Sequence, residues 1–151
     1  VTSKYYDLEK GQIYSLTGSE HHFDYRESIY QKHPERVILG ATLKLNKGIR
    51  KVITEEMRTY WDKRRITQPL EQPNAGSIFK RPEGHFAGKL IEDCGLKGLT
   101  VGGAQVSTKH AGFIVNIGGA TCEDVKRLIE QIQTTVLQKT GVQLECEIKF
   151  L

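Results

Sequence analysis

The sequence has only three cysteines, Cys94, Cys122 and Cys146, an odd number with no Cys-x-x-Cys spacing. A disulfide framework or a thiolate metal site needs pairs at short spacing, so free, reduced thiols are expected, as in a cytosolic protein. Two of the three fall at apolar-pattern positions, where packing outweighs reactivity. His21, His22 and His33 lack zinc-site spacing and read as part of a solvated loop, so no metal is expected. No apolar run approaches the roughly 20 residues a membrane helix needs, and nothing at the start reads as a signal peptide. A phosphate-cradling P-loop is missing. Leu96–Gln105 is glycine-rich, but it follows a helix and opens none, so it fails the dinucleotide fingerprint. There is no internal repeat and no low-complexity segment. Charge of one sign is lacking too: the net charge is +4, with acids interleaved among bases, which argues against a nucleic-acid face. The basic cluster Lys63-Arg64-Arg65 lies beside Tyr60 and Trp61, but those aromatics belong to an apolar stripe. Burial there would keep them from stacking on bases.

What is present is ordinary for a soluble globular chain. The 151 residues are 38% hydrophobic and 26% charged, one domain's worth of sequence with enough apolar content for a core. Val1 leads straight into strand-like sequence, and the chain reads as a piece of something longer.

Residues 3–15 read as a β-hairpin turning at Glu9-Lys10-Gly11, and a strand is expected over Arg36–Leu45. Between them runs a polar loop carrying Phe23-Asp-Tyr-Arg-Glu-Ser28. This first third looks like the closing edge of a β-rich unit. An amphipathic helix is expected over 49–64, with Ile49, Val52, Ile53, Met57, Tyr60 and Trp61 as a core-facing stripe. Residues 68–83, punctuated by Pro69, Pro73 and Pro82, read as a long irregular loop, a form more often functional than idle. A short helix over Phe86–Cys94 should stop at Gly95. After a strand at 111–116, Thr121 and Asp124 form a capping box for a second strong helix, which Gly141 closes. In a final strand, Val142, Leu144, Cys146, Ile148 and Phe150 alternate with Gln143, Glu145, Glu147 and Lys149. The fold class expected is α+β, a small mixed or antiparallel sheet with helices packed on one side, preceded by the last strands of a β-rich unit.

The most informative run is Asn74-Ala-Gly-Ser-Ile-Phe-Lys-Arg-Pro82. It sets the Ser77 hydroxyl after a flexible Gly76 and just before the cations Lys80 and Arg81. A serine so placed can sit against an anion and donate a proton to it. A solvated Gly-Pro turn is the competing reading.

Taken with that run, several ordered blocks make the whole chain resemble the C-terminal part of the UDP-N-acetylenolpyruvylglucosamine reductase family. They are Phe23-Asp-Tyr-Arg-Glu-Ser28, Gln68-Pro69, Ala75-Gly-Ser-Ile-Phe-Lys80, Ala87-Gly-Lys-Leu-Ile-Glu92, Gly95-Leu-Lys-Gly98, Gly102-Gly-Ala-Gln-Val-Ser107, His110, Asn116 and Leu144-Glu-Cys-Glu-Ile-Lys149. The resemblance implies a cytoplasmic bacterial flavoenzyme of peptidoglycan precursor synthesis. NADPH reduces FAD there, and hydride from flavin N5 passes to UDP-N-acetylglucosamine enolpyruvate to give UDP-N-acetylmuramate.

It also implies three catalytic residues: Ser77 as proton donor, with Arg26 and Glu147 stabilising the enolate. Arg65, Lys80 and Arg81 are then candidates for the substrate's diphosphate and carboxylate, and Lys149 for the flavin carbonyl. Arg26 as a solvated loop charge, Glu145 as a rival to Glu147 and Arg65 as a plain helix end remain open. Residues 1–48 resemble the tail of the FAD-binding domain and 49–151 the substrate-binding domain. The short separation of Arg26 and Ser77 resembles the compact subtype. Three positions depart from the family pattern: Asp24 for a common Gly, Arg81 for a common Asn and Lys149 for a frequent Arg. The family's glycine-rich FAD pyrophosphate site has no counterpart before residue 26. The resemblance thus implies that most FAD contacts lie in a missing N-terminal portion and that this piece alone is inactive. The alternative function is a stand-alone UDP-sugar-binding module.

Overall fold

The computed structural model describes residues 1–150. The chain divides into two units, Val1–Arg50 and Lys51 onward, described separately below.

In the first unit, β1 (Thr2–Asp7) and β2 (Gln12–Thr17) pair antiparallel, Thr2 opposite Thr17 and Asp7 opposite Gln12. Asp7 builds the turn: its Oδ1 accepts from the backbone N–H of Glu9 at 3.2 Å and of Lys10 at 2.9 Å, while Gly11 takes φ +65°. β3 (Arg36–Thr42) pairs with the other edge of β1, so the sheet order is β2-β1-β3. The inward side of the central strand is polar as well as aromatic: Ser3, Tyr5 and Asp7 are buried. Between β2 and β3 lie a 3-10 turn (Gly18–His21) and the one-turn helix α1 (Ile29–Lys32). The backbone N–H and hydroxyl of Ser28 both donate to Gln31 Oε1, closing a capping box on α1. His21 corrects the solvated-loop expectation, because it is 1% exposed. No group of three or more potential metal ligands occurs among the described residues.

The second unit carries the larger core. Its sheet has the order β4-β7-β6-β5, formed by β4 (Asn74–Ser77), β5 (Thr100–Val101), β6 (Ala104–Val106) and β7 (Phe113–Asn116), all antiparallel. α3 (Ala87–Asp93) and α4 (Cys122–Thr140) complete the cluster. α4 contributes Leu128, Ile129, Ile132 and Val136, all 4% exposed or less. α3 ends at Cys94, followed by Gly95 at φ +75°, and α4 ends at Gly141 at φ +72°. The α+β architecture with an antiparallel sheet is the one expected.

Three expectations need correction. The stripe on α2 (Arg50–Thr67) is not core: every residue of the helix is exposed, Tyr60 at 66% and Trp61 at 57%. Periodicity is a property of the helix alone, and α3 and α4 complete the buried cluster without it. Burial therefore no longer argues against base stacking, although the interleaved charge still does. The supposed loop 68–83 contains β4, which the prolines on either side disguise. The final segment forms no regular strand; it makes an isolated bridge, Phe79 to Cys146. Lys80 N donates to Glu145 O and Glu147 N to Ile78 O, both at 2.8 Å, so the pairing lasts only as long as its short partner. Phe150 leaves the expected core face, 44% exposed with Lys126 Nζ 5.2 Å from its ring centre.

The α4 cap fixes the glycine-rich hairpin against it. Thr121 Oγ1 accepts from Asp124 N at 3.1 Å, and Asp124 Oδ2 accepts from Thr121 N at 2.9 Å. A Cβ on Gly102 would lie 2.4 Å from the Asp124 carboxyl, and one on Gly103 would lie 2.3 Å from Gly118 O. These glycines permit close packing of chain on chain. The Thr121 backbone N–H, then its hydroxyl, Gly103 N–H and Arg127 hold the Asp124 carboxyl below its ordinary range. A depressed folded-state pKa contributes stability above the ordinary aspartate value, and that contribution disappears as pH falls through the folded value. Denaturation of Asp124→Asn at several pH values should therefore show a deficit against the parent at neutral pH that shrinks on acidification. A constant deficit would contradict the charge-based account.

Candidate active site

Ser77 owes its position to a bulge. Asn74 pairs with Val115 and Ser77 with Phe113, so β4 takes three steps while β7 takes two. The extra residue falls at Ala75-Gly76, where Gly76 has φ +83° and its N–H donates to Asn74 Oδ1 at 2.9 Å. Such bulges re-aim side chains, often beside active sites. Here the result is an exposed Ser77 immediately before fully buried Ile78 and Phe79. The Ser77 hydroxyl meets Phe79 O only at 3.4 Å, a weak bond readily exchanged for a ligand.

The backbone bond from Glu147 N to Ile78 O brings Glu147 onto the segment directly following Ser77. Glu145, the rival carboxylate, forms an ion pair with Lys80 and is 70% exposed. Burial separates the two glutamates: Glu145 is exposed, whereas Glu147 is half-buried. Between them, burial and then the Glu145 charge push the Cys146 thiol up, keeping it neutral and inert. Arg81 stacks its guanidinium 4.0 Å from the Phe86 ring centre and donates from Nε to His85 O at 3.3 Å. Arg65 is exposed in the last turn of α2. Lys149 is exposed two residues beyond Glu147.

Lys109 was not anticipated, and it organises this region. Its Nζ donates to Arg65 O at 2.8 Å and pairs with Glu71 at 3.2 Å, tying the end of α2 to the segment before β4. Its only sequence cue was a place between two noted blocks.

Arg26 belongs to the first unit. Asp24 and Glu27 exchange backbone hydrogen bonds of 3.1 Å, leaving Tyr25-Arg26 as the turn, with the Arg26 guanidinium 5.8 Å from the Tyr25 ring centre. Arg26 sits at φ +58°, in a region that favours glycine. Holding a non-glycine residue there costs about 1–2 kcal/mol. Strain of this kind persists where the surrounding structure fixes it, and it clusters at active sites and ligand clamps.

The model of the UDP-N-acetylenolpyruvoylglucosamine reductase C-terminal domain matches residues 68–151. The chain belongs to this family. A reductase of that name from Limosilactobacillus fermentum is 50% identical over 141 residues, covering 93% of this chain and 47% of that protein. The Pediococcus pentosaceus reductase is 48% identical over 151 residues, covering 100% of this chain and 50% of that protein. The crystal structure of the Thermus caldophilus UDP-N-acetylenolpyruvylglucosamine reductase superposes with TM-score 0.82 at 33% identity, covering 98% of this chain and 51% of that one. The chain thus spans about half the length of the reductases it matches.

Neither Gly102-Gly103 nor Gly118-Gly119 is open to a pyrophosphate. Gly102-Gly103 is filled by the Asp124 carboxyl and the 118–120 backbone, and the Gly118 and Ala120 N–H groups donate to Asn116 Oδ1. No phosphate cradle remains in either glycine pair. Among the described residues, no helix is long and apolar enough to cross a membrane.

Proposed function

We propose that this chain supplies the proton-donating and anion-stabilising groups of an enzyme that reduces UDP-N-acetylglucosamine enolpyruvate to UDP-N-acetylmuramate in bacterial peptidoglycan precursor synthesis. NADPH and FAD are the electron carriers of this reading, with the flavin held chiefly by residues outside those described. Addition of hydride to the enolpyruvyl double bond leaves negative charge delocalised onto the substrate carboxylate. The Arg26 guanidinium is a permanently charged planar fork suited to that carboxylate, and the Glu147 carboxyl polarises the same group. Ser77 gives its hydroxyl proton to the adjacent carbon, completing the saturated product. Arg65, Lys80 and Arg81 would serve the substrate's diphosphate and carboxylate, and Lys149 would supply positive charge to the flavin carbonyl.

The observation that carries this reading is the Ala75-Gly76 bulge, which presents a weakly bonded hydroxyl next to the Glu147 segment. The test is spectroscopic. The full-length protein containing this chain should be yellow, bleach with NADPH and regain its colour on addition of UDP-N-acetylglucosamine enolpyruvate, with UDP-N-acetylmuramate formed. Bleaching without recovery would reject the substrate. Calorimetry on the chain alone examines the stand-alone module: heat with the enolpyruvyl nucleotide would favour it, and none at millimolar ligand would reject it.

A further inference from the structure

Arg26 lies in a turn closed by the Asp24–Glu27 backbone pair, and groups on either side of that turn tie it to the sheet. The segment 22–27 contains two non-glycine residues in the left-handed region, His22 at φ +48° and Arg26 at φ +58°. Such residues persist only where their surroundings fix them. The fixing groups sit at both flanks of the segment and converge on one hydroxyl of β1. On one flank, buried His21 places Nε2 2.8 Å from Ser3 Oγ. On the other, Tyr30 of α1 places its hydroxyl 2.5 Å from the same Ser3 Oγ.

Directions follow from the partners. His21 Nδ1 faces Gly18 O at 2.9 Å, and a carbonyl only accepts, so Nδ1 carries the proton. In the neutral imidazole Nε2 accepts from the Ser3 O–H, and the Ser3 oxygen accepts from the Tyr30 O–H. The chain Tyr30 to Ser3 to His21 to Gly18 is satisfied at every link. Phe23 adds to it, stacking on the His21 ring at 4.8 Å between centres. A network centred on buried Ser3 and His21, with every member bonded, favours one arrangement.

We propose that Ser3, His21 and Tyr30 are positioning residues for Arg26: they clamp both ends of its strained turn and hold the guanidinium at its catalytic angle. The proposal rests on the role given to Arg26 above. Ser3 is the hub, so its loss breaks both clamps. In the full-length protein, Ser3→Ala should speed amide hydrogen exchange across residues 22–28. It should also slow reoxidation of reduced flavin by the enolpyruvyl substrate about tenfold to a hundredfold, with KM nearly unchanged. Reduction by NADPH should be unaffected. Ser3→Thr, which keeps the hydroxyl, should restore both readouts. Tyr30→Phe removes one clamp without disturbing the buried pair and should give a smaller effect of the same kind. In an Arg26→Ala background, Ser3→Ala should cost nothing further. Unchanged exchange at 22–28, an equal loss in both half-reactions, or a full added loss in the Arg26→Ala background would each overturn the clamp. Full activity of Arg26→Ala alone would instead remove the role of Arg26, a failure of the parent reading that the exchange data separate from failure of the clamp.

Discussion

Arg26→Gly should yield a protein more stable than Arg26→Ala that barely reduces its substrate. Two backbone effects oppose each other at this position. Glycine relieves about 1–2 kcal/mol of left-handed strain, while its looser unfolded chain costs about 0.5–1 kcal/mol. Strain relief is the larger, so a net gain of about 0.5–1 kcal/mol over Arg26→Ala is expected, since alanine keeps the strain. The contact with the Tyr25 ring is lost in both variants and cancels in that comparison. Activity should move the other way. Removing a preorganised group that faces developing charge costs about 10²–10³-fold in rate, and both variants should show it. Denaturant titration and single-turnover kinetics on the full-length variants check the two halves. An Arg26→Gly variant that is less stable than Arg26→Ala would show that φ +58° stores no strain. Undiminished turnover would show that the side chain has no part in the chemistry.

Ser77→Ala should divide the catalytic cycle in two. Ser77 is exposed and its hydroxyl makes only a 3.4 Å bond, so the substitution should change stability by no more than about 0.5 kcal/mol. Positioned proton donors contribute about 10²–10⁴-fold, and that loss should fall on reoxidation of the reduced flavin by substrate. Flavin reduction by NADPH requires no proton from Ser77 and should stay near normal. Equal slowing of both half-reactions would mean that Ser77 supports the site without donating.

Much of this organisation was legible in the residues. The α4 cap at Thr121 and Asp124, the glycine stops at 95 and 141 and the first hairpin rest on local hydrogen bonding and backbone preference, which neighbours in sequence determine. What stayed hidden depends on partners distant in sequence. The α2 stripe announces an apolar face but not what covers it, so Trp61 was misplaced in the core. His21 looked polar and loop-bound because its partners Ser3 and Tyr30 lie 18 and 9 residues away, on other elements. β4 was lost among prolines and a bulge, although that bulge is what exposes Ser77. The β5–β6 hairpin had a usable cue, the two-residue Gly102-Gly103 between apolar neighbours, which reading it only as a failed nucleotide fingerprint concealed. Ser77 and Glu147 were named from resemblance; their backbone linkage through Ile78 comes from tertiary pairing.

In the proposed reaction, Arg26 and Glu147 act on one developing charge. A double-mutant cycle on substrate-driven flavin reoxidation measures this directly, using Arg26→Ala, Glu147→Gln and their combination in the full-length protein. Groups that stabilise the same transition-state charge are not independent. The combined variant should therefore lose far less than the product of the two single losses. A combined loss equal to that product would mean that the two residues serve unrelated steps.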